Sequence, residues 1–451
     1  MLLTNCGLTA LLVNPRDQLL TLLQQQETVG YIGEPVSQLA HALQCAAFAA
    51  HESADECLIL AALLHDVGHF CDPRAPQMAD LGVRHHESVG ADYLRACGLD
   101  EAVATLVANH VNAKRYLVAA RPAYAAKLSA ASTQTLAFQG GPMSPAEVAA
   151  FEQHPYFDAI LKLRAWDEAA KQPDLVTPTL AHYAAMLARN QTRRLDKSQL
   201  AFFTANGYLH IRDWFNADEI KALTADIDVL QALPDTAGKW MKYYEQTAQG
   251  RTLCRIENFL QYQPRLERLA RGNSTLGLLS ELMAEPAVLF KEKLNLKLAG
   301  GNGFAAHQDA PAFTSFNQHY HITMMLSIDA TTAANGCLEV AAGQHQQGLL
   351  AMNPDLTLSQ AAIDALHWQP LETQPGDLLL FDSYLPHRSA MNLTQRARRA
   401  LYITYNRAAA GGDVRDAYFA AKRASFPPEN EREPGRDYSG GVFNVGNPVN
   451  K

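Results

Sequence analysis

Between about residues 15 and 190, apolar residues recur at spacings of three and four with few β-branched runs, the period of helices that bury one face. The pattern predicts an all-α first half. One helix carries His41, with Pro35 placed to open it because the missing N–H of proline would be unpaired there anyway. A second runs from about 54 to 64 and stops at Gly68, and a third opens at His85-His86 and reaches Cys97. A fourth spans 100–110 and leads into the segment 111–117, and another covers about 155–171, with Arg164 and Asp167 inside it. Residues 31–34, 71–82 and the break Gly140-Gly141-Pro142 read as loops.

After the polar stretch at 192–197 the period changes. FFTANGYLHIRDWFNADEIKAL reads as a helix, a glycine turn, a short strand at 208–211 and a second helix from Ala217. Strands follow at 289–298, 322–328, 338–340, 378–381 and 400–405, separated by turns such as Asn335-Gly336 and Pro375-Gly376-Asp377. This is the rhythm of a double-sheet barrel or jelly roll with flanking helices. The expected domains are residues 1–194 and 195–451.

Composition narrows the picture only modestly. A chain of 451 residues with 48% hydrophobic and 19% charged residues can build two sizeable cores. The net charge of −8 argues against a nucleic-acid groove or a basic membrane-binding surface, although a small basic pocket for an anion would be invisible in it. Seven cysteines without a C-x-x-C pair fit a reducing compartment, with the cytoplasm as the expected location, and argue against a cysteine-based zinc or iron–sulfur site. No run is long enough to span a bilayer, and the apolar residues at 8–13 lack the basic segment of a signal peptide.

The candidate chemistry begins in AALLHDVGHF, where His65 and Asp66 close an apolar run. A carboxylate has two oxygens that can reach different ions. His41, His86, His110 and Asp167, each near the end or on one face of a separate helix, bring the candidate ligands to six. A workable division puts His41, His65 and Asp167 on one ion and His86 and His110 on the other, with Asp66 as the bridge, a mixture that suits iron or manganese. His85 competes with His86. In the second half His307 and Asp309 alternate onto one face of a strand, and His387 would complete a two-histidine, one-carboxylate triad for non-haem Fe(II). Ser389 and Arg398 follow, with Arg398 or the adjacent Arg399 available to pair with a carboxylate. His319-x-His321 reads as strand alternation, and the glycines at 300, 301 and 303 lack the following helix of a phosphate loop.

Residues 25–172 resemble the HD-domain superfamily, and within it the mixed-valence diiron oxygenases related to myo-inositol oxygenase and the phosphonate-cleaving enzymes. The likeness rests on Tyr31-x-x-Glu34 before His41, on His65-Asp66, on His86 four residues before Gly90, on His110 within HVNAKRYL and on Asp167 within LRAWDEAAK. It implies an Fe(II)/Fe(III) pair, Tyr31 as a displaceable ligand with Glu34 as a gate beside it, and substrate contacts from His69, Lys114, Ser132, Gln139 and Arg164. Residues 200–445 resemble the phytanoyl-CoA dioxygenase family of Fe(II)- and 2-oxoglutarate-dependent hydroxylases, through FKEKLNLKLAGGNGFAAHQDAP, NGCLEVAAGQH and LLLFDSYLPHRSAMNLTQRARRAL. It implies a double-stranded β-helix, iron on His307, Asp309 and His387, and 2-oxoglutarate on Arg398 and Ser389.

Together the two likenesses imply an O2-using enzyme that hydroxylates the carbon next to phosphorus in 2-aminoethylphosphonate and then cleaves the C–P bond of the 1-hydroxy product to glycine and phosphate. A small-molecule phosphonate is the expected partner, and the sequence leaves the oligomeric state open. Another phosphonate could undergo the same chemistry: trimethylaminoethyl-, methyl- or otherwise substituted. A competing expectation is an HD phosphohydrolase fused to an unrelated 2-oxoglutarate hydroxylase.

Overall fold

A computed structural model of the chain describes residues 15–31, 33–52, 54–78, 82–126, 128–191, 194–313, 316, 318–438 and 443. It divides into two compact units, Met1–Thr192 and Arg193–Lys451. No described helix is long and apolar enough to cross a membrane.

The first unit is an all-α helical bundle: α1 (Pro15–Gln24), α2 (Gln38–His51), α3 (Glu56–Leu64), α4 (His86–Ala96), α5 (Glu101–Ala120), α6 (Pro122–Ala125), α7 (Ala130–Phe138), α8 (Pro145–Glu152), α9 (Phe157–Ala169) and α10 (Ala184–Asn190). At its centre lies α3, whose sequence ECLILAALL is apolar all round and is buried from Cys57 to Leu64. α2, α5, α9 and α10 pack around it. Ser37, Asp55 and Asp100 cap α2, α3 and α5, their side chains accepting from Ala40, Leu58 and Ala102 N–H.

Three local expectations change. Ser37, not Pro35, starts the helix that carries His41. Residues 111–117 continue α5 rather than leaving it, which stacks Lys114 one turn above His110 on the same face. Gly68 is not a left-handed stop. It lies in a 3-10 turn, Val67–His69, and a Cβ there would come 1.9 Å from the His86 carbonyl oxygen and 2.8 Å from the Gly90 nitrogen. The two glycines let α4 cross directly against the turn that follows Asp66.

The second unit is a double-stranded β-helix with flanking helices. It runs α11 (Lys197–Asn206), β1 (Tyr208–Ile211), α12 (Ala217–Ala232), β2 (Met241–Thr247), β3 (Gly250–Glu257), α13 (Pro264–Arg271), α14 (Asn273–Met283), β4 (Ala287–Lys297), β5 (Phe304–His307), β6 (His321–Ser327) and β7 (Leu338–Val340). Then come α15 (Gln360–Asp364), β8 (Gln369–Leu371), β9 (Leu378–Asp382), β10 (His387–Ser389), β11 (Arg398–Arg407) and α16 (Arg415–Ser425). The larger sheet has the order β1-β9-β6-β11-β4-β3-β2 and the smaller β5-β10-β7-β8.

The six strands expected from the sequence are present. The strand expected at His307 is β5, which ends there, and β10 carries His387, while β2, β3 and β8 were not anticipated. Their side chains do not give a hydrophobic alternation, because several line a polar interior. On β4, Leu294 and Leu296 enter the apolar core on one face, while Lys293, Asn295 and Lys297 alternate onto the other. The ladder between β4 and β11 shifts register at Thr404/Tyr405, where Lys291 pairs with Thr404 and Leu289 with Tyr405. Phe290 is the extra residue of that bulge.

Candidate metal centres

Four imidazoles converge in the first unit. His41 Nδ1 donates to the Ala170 carbonyl (2.8 Å), His65 Nδ1 to Ala62 (2.9 Å) and His110 Nδ1 to Val107 (2.7 Å). A carbonyl can only accept, so each of these rings carries its proton on Nδ1 and presents an Nε2 lone pair inward. His41 and His65 aim those lone pairs at each other across 3.2 Å, and His110 aims its own at His86 Nε2 across 3.0 Å. Lone pairs as close as those of His41 and His65 need a cation between them, and that pair can share a proton: burial opposes protonation of His65, but the Asp66 and Asp167 carboxylates override it and raise the ring to about 9. Loading a metal therefore displaces a proton.

Asp66 stands between the two pairs. Its Oδ2 lies 3.3 Å from His65 Nε2 and 3.7 Å from His41 Nε2, while Oδ1 lies 3.5 Å from His86 and 3.8 Å from His110. Oδ2 is buried without a hydrogen bond. Asp167 Oδ1 adds to the first pair, 3.4 Å from His41 and 3.8 Å from His65. Orphaned carboxylate oxygen, facing lone pairs and a nitrogen–oxygen donor set fit a pair of borderline cations such as iron. His85 takes no part: it is left-handed (φ 57°), largely exposed and beside Glu87.

His69 is wired the other way. Its Nδ1 accepts from Val83 N–H (3.1 Å), so the neutral ring carries its proton on Nε2, 3.9 Å from Asp66 Oδ1. That makes it a hydrogen-bond donor toward the cleft rather than a ligand. It stacks on His86 with centroids 4.0 Å apart. Tyr31 stacks in the same manner on His41 (3.9 Å), with its hydroxyl 3.5 Å from Asp167 Oδ1. Burial and then the Asp66 and Asp167 charges hold its phenol well above the ordinary range.

Tyr31, Glu34, His69, Lys114, Ser132, Gln139 and Arg164 all line one cleft over Asp66 and Asp167. Lys114 Nζ donates to Thr135 Oγ1 (2.9 Å), and burial followed by Arg164 lowers its ammonium to about 8. Arg164 Nη1 donates to Asp167 Oδ2. Three residues in this site escaped the sequence reading. Lys171 Nζ pairs with Glu34 at 2.6 Å, Thr135 receives Lys114, and Glu87 Oε2 lies 3.6 Å from His86 Nδ1, the ring that no carbonyl orients. The adjacent H-H-E letters were the available signal for Glu87.

The barrel assembles a smaller cluster. β10 pairs with β5 so that His387 sits opposite His307, and ligand atoms of His307, Asp309 and His387 lie within 4.8 Å of one another. His307 Nδ1 donates to Ala305 (2.7 Å) and His387 Nδ1 to Leu385 (3.0 Å), again freeing both Nε2 atoms. Burial and then His387 lower His307 to about 3, which keeps it in the neutral, ligating form. Strand alternation is not what brings Asp309 to the site. β5 ends at His307, and Asp309, in right-handed helical conformation, begins the turn Ala310–Ala312. The three donors fit one Fe(II) with open positions.

Arg398 and Arg399 separate cleanly. Arg399 donates through Nε and Nη2 to Asp329 (2.8 and 2.9 Å) and through Nη1 to Asp228. Arg398 is buried, donates to the Tyr402 hydroxyl (3.2 Å) and leaves its Nε without a partner. Ser389 Oγ receives Lys297 Nζ at 2.8 Å. Arg398 and Ser389 thus line the inside of the barrel wall, where an anionic carboxylate would satisfy the open donors. His319 is exposed and His321 is buried against Gln318 (2.7 Å), so they form no joint site. His345 packs over Gly207, in a turn at Gln344–Gln347.

Two family models match the chain: HD domain over residues 36–134 and phytanoyl-CoA dioxygenase (PhyH) over residues 203–400. It is 49% identical to a 2-aminoethylphosphonate dioxygenase of the uncultured bacterium HF130_AEPn_1 over 251 residues, 54% of this chain and 94% of that protein. To a methylphosphonate hydroxylase of Gimesia maris it is 40% identical over 232 residues, 51% of this chain and 88% of that protein. To a [1-hydroxy-2-(trimethylamino)ethyl]phosphonate dioxygenase (glycine-betaine-forming) of Leisingera caerulea it is 42% identical over 160 residues, 35% of this chain and 81% of that protein. The chain belongs to the phytanoyl-CoA dioxygenase (PhyH) family, in which its barrel is fused behind an HD domain.

Proposed function

We propose that the chain is a bifunctional iron-dependent oxygenase that degrades an organophosphonate in two steps. The second unit hydroxylates the carbon alpha to phosphorus of 2-aminoethylphosphonate, with 2-oxoglutarate and O2 giving succinate and CO2. The first unit cleaves the C–P bond of (1-hydroxy-2-aminoethyl)phosphonate, with one further O2, to glycine and phosphate. The balance closes: one oxygen atom completes the carboxylate, the other completes phosphate, and the four-electron oxidation of carbon matches the reduction of O2. When bound, the diiron pair and the single iron would supply the oxygen activation and redox capacity of the two steps.

The observation that carries this reading is Asp66, whose two carboxylate oxygens face two separate histidine pairs under a cleft furnished with Lys114 and Arg164. His41, His65, Asp66 and Asp167 would hold one iron, and Asp66, His86 and His110 the other. Tyr31 and Glu34 would form the gate, with Lys171 clamping Glu34 through their 2.6 Å pair. Lys114, Arg164, His69, Ser132 and Gln139 would bind the phosphonate and its neighbours, since a dianion calls for charge-assisted donors. In the barrel, Arg398 and Ser389 would hold the far carboxylate of 2-oxoglutarate.

The relatives support the division of labour. The match to the 2-aminoethylphosphonate dioxygenase, 251 residues long, exceeds the first unit and so reaches into the barrel. The relative named for a 1-hydroxyphosphonate suits the HD half, and its trimethylamino group makes trimethylaminoethylphosphonate the second substrate to test. Incubation of the full chain with Fe(II), ascorbate, 2-oxoglutarate and 2-aminoethylphosphonate should release succinate and phosphate. Absence of phosphate from both this compound and its 1-hydroxy derivative would sink the proposal. An electron paramagnetic resonance signal from a coupled Fe(II)/Fe(III) pair separates it from a phosphohydrolase, which needs no mixed valence.

A further inference from the structure

We infer that the barrel holds the phosphonate group of its substrate between Lys291 and Lys293, a binding site separate from the 2-oxoglutarate anchor. The inference rests on the phosphonate reading above and extends it to the one catalytic unit whose substrate contacts are unassigned.

β4 is unusual among the core strands. Its sequence from Lys291, KEKLNLK, sends Lys291, Lys293, Asn295 and Lys297 to one face while Leu294 and Leu296 enter the apolar core. Most cations lining this face have partners. Lys297 donates to Ser389 Oγ and to the carbonyls of Gly336 and Ala390. Arg255 and Lys422 share Glu257. Lys291 and Lys293 have neither an ion pair nor a hydrogen bond among the described residues.

What surrounds the two ammoniums is aromatic. Lys291 Nζ lies 4.2 Å from the Phe313 ring centroid and 5.2 Å from that of Tyr418, and Lys293 Nζ lies 5.3 Å from that of Tyr402. Lys291 is only 9% exposed. Ring faces steady a cation but do not replace a counter-anion for one removed from water. Hydroxyls flank the pair, since Thr404 sits opposite Lys291 and its Oγ1 is 3.0 Å from Thr323 Oγ1. Asn295 Oδ1 on the same row is buried without a partner.

The site adjoins the metal cluster. Phe313 closes the turn that Asp309 opens, with its N–H on the Ala310 carbonyl, so Lys291 lies against the segment bearing a ligand. Lys293 lies within electrostatic reach of His307, Asp309 and His387. It is four residues from Lys297, about 13 Å along an extended strand, which separates the lysine pair from the Arg398 end. Two lysines beside a metal triad with no ion pair of their own among the described residues, their nearest carboxylates reaching them only at longer range, match an anion carrying two charges, as a phosphonate does and a carboxylate or sulfonate does not.

The test uses the full chain loaded with Fe(II) and 2-oxoglutarate without oxygen, whose visible charge-transfer absorption reports 2-oxoglutarate bound to iron and shifts when substrate arrives. Titration with 2-aminoethylphosphonate and with taurine, the sulfonate with one charge fewer, compares wild type with Lys291→Met, Lys293→Met and the double variant. The absorption itself should be unchanged. The phosphonate concentration at half-shift should rise about 10- to 100-fold per lysine, the preference over taurine should vanish, and Lys293→Arg should recover part of the loss. The ligand-free melting temperature should not fall, because methionine replaces an amine that has no ion pair or hydrogen bond of its own. A double variant that titrates like wild type overturns the inference. So does loss of the charge-transfer absorption, which would assign the lysines to 2-oxoglutarate, or a melting temperature that drops with every ligand response. If the wild type itself shows neither a shift nor succinate with any phosphonate, the functional reading has failed instead.

Discussion

The helical and barrel centres orient their histidines by the same chemistry through different backbones. In the bundle, His65 and His110 each donate Nδ1–H to the carbonyl three residues earlier, Ala62 and Val107. In the barrel, His307 and His387 each donate to the carbonyl two residues earlier, Ala305 and Leu385. The tautomer that bares Nε2 is therefore set locally in all four. The two remaining bundle ligands differ: His41 depends on Ala170, 129 residues away, and His86 faces the Glu87 carboxylate. A single-metal triad can be built almost wholly from locally oriented ligands. The proposed dinuclear site would use in addition Asp66 as a bridge and His41 as a ligand oriented by a distant segment.

The strongest way to break this comparison is to remove one carboxylate from each centre. Asp66→Ala should reduce phosphate release from the 1-hydroxyphosphonate to background while succinate formation persists, and Asp309→Ala should do the reverse, with iron content per chain falling by each centre's share. If either variant abolishes both products, the centres are not independent. Next in size is Arg398→Met, which removes a charge-assisted carboxylate anchor and should raise the KM for 2-oxoglutarate about 100-fold. Arg399→Met breaks the partly exposed pairs with Asp329 and Asp228 and should cost about 1 kcal/mol in thermal unfolding with KM unchanged. Equal KM effects would remove the distinction between the two arginines.

Smaller effects sharpen the bundle side. Gly68→Ala would drive a Cβ into the His86 carbonyl, and by the usual cost of overpacking should destabilise the first unit by about 1–3 kcal/mol in a denaturant melt. Glu87→Gln should weaken iron binding by about 10-fold, the lower end for outer partners of metal ligands. It should leave the barrel's 2-oxoglutarate absorption unchanged. An unaltered iron affinity would mean that His86 is oriented by packing alone.

Much of both centres was legible in the chain because ligand chemistry and local hydrogen bonding are short-range properties. His65-Asp66, the continuous apolar run that buries α3 and the apolar face of β4 each need only neighbouring residues to be recognised. The continuation of α5 through 111–117 was not visible, since Asn112, Lys114 and Arg115 interrupt the apolar period, Lys114 because it faces the cleft and Arg115 because it reaches Gly141 and Glu147. β3 and β8 were hidden for a related reason: a strand lining a polar interior, or only three residues long, leaves no hydrophobic alternation to read.

Sequence by itself determined the donor types, the helical and strand halves, and the tautomers held by a carbonyl two or three residues away. Only the tertiary structure decided which of these groups face one another. It sets His86 rather than His85 beside Asp66, pairs Arg399 but not Arg398 with carboxylates, puts Val83 N–H on His69 so that this ring's other nitrogen is the donor, and leaves Lys291 and Lys293 without an ion pair among the described residues. Adjacent residues on one chain point to different environments, and which environment receives each is settled by packing between segments far apart in sequence.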